Sequence, residues 1–134
     1  MKLKHLFLSC ALLTSCDLND LFKPSTPECY NKDTVDLVKQ IINDYKWKPL
    51  NLDNAFNIQV NPKYELSYSK DTGTRTCIAS EKLSVNTKAS QKKKEFANSI
   101  LPLYYGEYEI KYTVTVVKDK DGNYNQLVQI INEP

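Results

Sequence analysis

Apolar side chains recur at two different spacings along this chain, and the change of spacing divides it into elements. Between residues 33 and 46, Val35, Val38, Ile41, Ile42 and Tyr45 fall on one side of a helical wheel. Leu37 lies at its margin, and Lys39, Gln40, Asn43 and Asp44 lie opposite. That spacing predicts an amphipathic helix with one packed face and one wet face. Asp33 offers an N-cap, and Asp36 adds negative charge at the end where the helix dipole favours it. Pro49 closes the helical region.

From residue 56 the period shortens to two. FNIQV (56–60) alternates apolar and polar, and so does KYELSYS (63–69), with Tyr64, Leu66 and Tyr68 turned one way. Each reads as a half-buried strand. Asn61-Pro62 breaks the run, and Asp71-Thr72-Gly73 offers a turn into a third strand. On that strand Cys77, Ala79, Leu83 and Val85 share a parity, with Glu81 the exception. Residues 86–99, NTKASQKKKEFANS, are polar and read as a solvated loop or short helix with Phe96, Ile100 and Leu101 tucked inward. The longest alternation follows: Tyr108, Ile110, Tyr112, Val114 and Val116 against Glu107, Glu109, Lys111, Thr113 and Thr115. Asp121-Gly122 is a hairpin turn pair, and YNQLVQII (124–131) returns as the partner strand. The order predicts an α+β domain, one amphipathic N-terminal helix packed on an antiparallel sheet of four or five strands. A small β-barrel or sandwich with one helix is the alternative.

The first sixteen residues, MKLKHLFLSCALLTSC, follow another layout: Lys2 and Lys4, an apolar run from Leu6 to Leu13, then small polar residues before a cysteine. The run is much shorter than the roughly 20 apolar residues of a membrane-spanning helix, and its order is that of an export signal. Leu13-Thr14-Ser15-Cys16 resembles the lipobox of a bacterial lipoprotein signal peptide, although Thr14-Ser15 stands where Ala/Ser and Gly/Ala are usual. An ordinary secretory signal cut elsewhere is the rival. The resemblance implies that Cys16 receives a diacylglycerol and becomes the first mature residue. Residues 1–15 would be the signal peptide, 16–28 a lipidated tether with the Pro-rich composition of a spacer, and 29–134 a single domain. The expected location is the bacterial cell membrane, inner or outer, with the domain in the periplasm or on the cell surface. Membrane lipid would be a partner through acylated Cys16.

Charge and composition then narrow the task. Lys2 and Lys4 leave with the signal, so the 18 basic side chains fall to 16, equal to the 16 acidic ones. A neutral chain lacks the basic surplus that phosphate binding uses, and no nucleic-acid partner is expected. The only histidine, His5, also leaves. The mature chain then has no imidazole for a Ser-His-Asp or Cys-His site or for catalytic zinc. Cys29 and Cys77 are an even pair, and in an oxidising compartment they are expected to form a disulfide rather than free thiols or half a metal site.

Weaker chemical signals have plain explanations. Glu107 and Glu109 share a strand face beside Lys111, as a solvated charge row does. Asp119, Asp121 and Asn123 resemble part of a calcium loop but lack its distant glutamate. With three glycines in all, no phosphate-cradling loop is expected. Lys92-Lys93-Lys94 is the most basic spot, a solvated face or a contact for anionic headgroups. No catalytic residue, metal or cofactor is expected. Tyr104 and Tyr105, at the start of a strand, are candidates for an exposed partner-binding patch, because tyrosine has one apolar and one wet end. The expected function is a non-enzymatic, membrane-anchored protein-interaction module of the envelope. An inhibitor or immunity/exclusion lipoprotein directed at a toxin, lysozyme or phage component is one alternative, and a small-molecule or lipid carrier is another.

Overall fold

The computed structural model describes residues 24–104 and 106–132. Its elements run α1 (Lys32–Ile42), β1 (Phe56–Ser69), β2 (Thr74–Val85), α2 (Gln91–Ile100), β3 (Glu107–Lys118) and β4 (Tyr124–Asn132). The four strands pair antiparallel in the order β1-β2-β3-β4. This is an α+β fold on one open sheet, so the barrel and sandwich alternatives are not what forms. Among the described residues there are two α-helices: the amphipathic one expected, and one in the polar stretch whose sequence reads as a loop or a short helix. The second, α2, lies in the polar stretch, capped by Ser90, whose Oγ accepts from the Lys93 amide, and it turns Ala97 into the core.

The cap of α1 is Asn31 rather than Asp33: its side chain accepts from the Asp33 and Thr34 amides. Thr34, Val38 and Ile42 face inward. After Ile42 the helix widens into a π turn, Asn43–Trp47, and the Lys48 amide reaches back five residues to the Asn43 carbonyl. The extra residue in that turn advances the wheel. Trp47 therefore points into the core at 1% exposure, and Tyr45, expected on the packed face, is 79% exposed.

The core lies between the helices and one face of the sheet. β3 keeps its alternation, with Ile110, Tyr112, Val114 and Val116 buried. In register with them, Cys77 and Ala79 face inward from β2, and Val128 and Ile130 from β4. Glu81, the polar exception to β2's pattern, is also buried there, opposite Val60 and Tyr108. Thr34 Oγ1 donates to Gln126 Oε1, which ties α1 to β4.

β1 departs from the simple alternation. It is one 14-residue strand through Pro62, which sits on the sheet edge where its missing N–H costs no ladder bond. Register shifts fall between Pro62 and Tyr64 and between Glu65 and Ser67. Each inserts a residue and turns the following side chains over. Tyr64 consequently pairs with Ile78 on the face away from the helices, while Tyr68 pairs with Arg75 on the helix face. Tyr64, Leu66 and Tyr68, expected to share one half-buried side, are all exposed.

Cys29 and Cys77 form a disulfide with Cα atoms 5.6 Å apart. It fastens the segment before α1 to the middle of the sheet, and the buried Tyr112 hydroxyl donates to the Cys29 carbonyl at 2.9 Å. Residues 24–28, part of the expected tether, lie against the sheet. Thr26 is buried and its hydroxyl donates to the Gly73 carbonyl, while Arg75 donates from Nε to the Pro27 carbonyl and from Nη2 to the Thr26 carbonyl.

Candidate functional surfaces

Cys16 and Tyr105 lie outside the described residues. Cys29, Cys77 and Tyr104 are described, and they sit in two separate regions: the disulfide on the half of the sheet that ends at the Gly73 hairpin, and Tyr104 at the opposite end, beside α2.

Beside the disulfide, a cleft of about 330 Å³ opens between residues 28–30 and the bulged part of β1. Tyr30 and Tyr64 supply aromatic walls, and Glu28, Lys63, Glu65 and Arg75 supply charge. Arg75 is already engaged. Besides the two carbonyls it pairs with Glu65 Oε1, and its guanidinium lies 4.6 Å from the Tyr68 ring centre. Its planar fork thus holds residues 26–27 to two places on the sheet at once, which a lysine could not do. Arg75 and Glu65 thus serve the fold.

At the other end, aromatic rings stack around Trp47. Phe56 lies 4.6 Å from it and Tyr104 5.4 Å away edge-on, with Tyr108 6.5 Å beyond Tyr104. Lys46 Nζ lies 5.0 Å from the Tyr104 ring and 5.3 Å from Trp47. Tyr104 is half-buried by these contacts, so it supports this end of the core more than it offers a surface.

Its neighbours are the exposed groups. Ala97, Leu101 and Tyr104, at helical spacing, face inward. Phe96, Ile100 and Leu103 repeat the same spacing one position earlier. Of these, Phe96 is 51% and Leu103 76% exposed, and only Ile100 packs partly on the core. Phe96 was expected inward, and the inward place on α2 belongs to Ala97. Lys93 forms a salt bridge to Asp53 at 3.2 Å, and in the same turn before β1 Leu50 is 57% exposed. The Lys93 ammonium holds the Asp53 carboxyl below its usual range. Lys48 and Lys92 are exposed, and Lys48 adds to the lowering of the Asp53 carboxyl. The sequence signal for the outward row was present in the i, i+4, i+7 spacing of residues 96, 100 and 103, hidden by the polarity of the stretch before it.

Other candidate groups are accounted for locally. Glu107 and Glu109 are exposed on the sheet face away from the helices, Glu107 opposite Lys82. Asp119 turns its carboxylate into its own hairpin, accepting from the Asp121 and Asn123 amides and from Asn125 Nδ2. Among the described residues no group of three or more Cys, His, Asp or Glu could hold a metal ion, and no helix is long and apolar enough to cross a membrane. No protein-family model, curated protein or solved structure matches the chain.

Proposed function

We propose that the chain is a bacterial envelope lipoprotein, anchored through acylated Cys16, whose folded part is a non-enzymatic protein-interaction module. One observation supports the second half of this reading: Leu50, Phe96 and Leu103 are more than half exposed, and Leu50 and Leu103 lie within three residues of Trp47 and Tyr104, whose rings pack edge-on. Apolar groups gathered on a rigid support favour docking over chemistry, because little ordering entropy is lost when they are covered. The anchor reading rests on the export layout and on Cys16. Two acyl chains hold a protein stably where one is marginal, and confinement to a membrane raises the local concentration near a partner in the same membrane. The test is in-cell crosslinking of the tagged protein beside a Cys16→Ser control. A Cys16→Ser protein that is released from membranes and loses its crosslinked partner supports the reading. One that stays full length and membrane-bound overturns it.

A further inference from the structure

We propose that β4 is the contact strand of a homodimer: β4 of a second copy of this chain lies antiparallel to it across a two-fold axis at Leu127, joining the two four-stranded sheets edge to edge. The inference is independent of the anchoring proposed above, since it uses only the strand order and the residues of the two edge strands.

The order β1-β2-β3-β4 leaves two edges, and they differ. β1 carries Pro62, Lys63, Glu65 and two register shifts, the features that keep natural edge strands from pairing. β4 has none of them along Tyr124–Ile130, which pairs with Lys118–Tyr112 without a shift. Its residues, YNQLVQIIN, include no proline and no charged side chain, whereas β1, β2 and β3 each carry both signs. Among the described residues, the backbone of 125–132 bonds to no segment except β3. The tie from α1, Thr34 to Gln126, uses a side chain and takes up no backbone group of β4. A row of open N–H and C=O groups is a template for another extended strand.

Symmetry and charge make that strand a second copy. Pairing of β4 with β1 of the next chain would be a head-to-tail contact that runs on into a filament, and Pro62 and the shifts of β1 obstruct it. Pairing of β4 with β4 closes after two chains. Antiparallel self-pairing sets the middle of a strand against itself, so a charge there would meet its own sign. β4 has none to meet, and it offers a foreign strand no sign to select. The shift-free stretch 124–130 has Leu127 at its centre, opposite Thr115 on the sheet face away from the helices and 43% exposed. An axis there brings the two Leu127 side chains together and sets Asn125 of each chain opposite Gln129 of the other.

The test uses the full-length protein purified in detergent from its own cells. Sedimentation with the detergent matched in density should give two chains per particle. Leu127→Lys, at an exposed position, places two ammonium groups at the axis and should give one chain per particle with the circular dichroism of the parent. Leu127→Cys should form a disulfide-linked dimer on mild oxidation, and Gln59→Cys, exposed on β1, should not, with the parent protein as the blank for its own cysteines. One chain per particle in the parent overturns the proposal, as does a Leu127→Lys protein that stays dimeric, or linkage through Gln59→Cys as ready as through Leu127→Cys. A mixed adduct of Leu127→Cys with another protein in place of the dimer also overturns it, and makes the occupant a foreign strand.

Discussion

The two ends of the sheet are held by different balances of contact. At the hairpin end, polar and covalent links dominate: the Cys29–Cys77 disulfide, the Thr26 bond to Gly73, and Arg75 reaching two carbonyls and Glu65. At the α2 end apolar contact among Trp47, Phe56 and Tyr104 is joined by a polar link, Lys93 to Asp53. The consequence shows on the surface. Where Arg75 and Glu65 hold the fold they are not available to a partner, whereas packing from beneath leaves Leu50, Phe96 and Leu103 exposed at the α2 end.

The largest expected effect comes from the packed end. Trp47→Ala should destabilise by about 3–5 kcal/mol, as large-to-small changes at fully buried aromatics do, measured by urea unfolding. Proteolytic sensitivity of residues 24–28 should stay unchanged in native conditions. If cleavage there rises as well, the two ends are one cooperative unit and the contrast fails. Next, Cys29→Ser/Cys77→Ser releases a loop of 48 residues' separation, worth about 4 kcal/mol as an upper figure from chain entropy. The protein should still fold, with its first strand and α1 less protected from hydrogen exchange. An unchanged urea midpoint would show that the pin adds nothing to the polar clamps.

Arg75→Ala tests those clamps alone. The side chain is 15% exposed, and losing charge-assisted bonds to carbonyls should cost about 2–3 kcal/mol and speed cleavage within 24–28. Arg75→Lys should recover only part of this, because a point charge cannot span the same acceptors.

How far these regions could be read beforehand differs for a physical reason. β3 was legible because each side chain faces one environment along the whole strand, so a period of two survives in residues 108 to 116. The disulfide was legible because, of the four cysteines, only Cys29 and Cys77 lie outside the stretch with the export layout, and those two admit one pairing. The π turn and the β1 bulges each insert one residue, and one residue is enough to move Tyr45 outward and to turn Tyr64 and Tyr68 onto different faces. No composition signal marks such an insertion, so parity counted across it fails. α2 was obscured because its inward face is narrow: Ala97 is a small residue in a run of lysines, and the contact that fixes the helix, Lys93 to Asp53, lies far off in sequence.

A smaller effect probes the joint between the disulfide segment and β3. Tyr112→Phe removes the bond to the Cys29 carbonyl and should cost about 1 kcal/mol near neutral pH. Burial pushes the Tyr112 hydroxyl up to about 12 from its ordinary 10.0. A phenol that ionises less readily when folded contributes fully below pH 10, and its contribution is lost as pH rises towards 12. Tyr112→Phe should therefore flatten the alkaline fall in stability over that window. An identical fall in both proteins would place its origin in other groups.

The smallest expected change lies in the β3–β4 hairpin, beyond both sets of links. Asp119 is half-buried, and its carboxylate accepts from the Asn123 and Asp121 amides and from the Asn125 side chain. The Asn123 amide is the leading cause that its carboxyl sits below the ordinary 3.8, with Asn125 next. A carboxyl lowered in the folded state contributes above its unfolded value and loses that contribution as pH falls through its folded one. Asp119→Ala should thus lower the melting temperature slightly at pH 7, and the gap from the parent protein should close below pH 3.8. Gly122, at φ 86°, still supplies the left-handed turn residue in the variant. A gap that is the same at both pH values would mean that the charge is irrelevant and that side-chain packing or the turn conformation accounts for the difference.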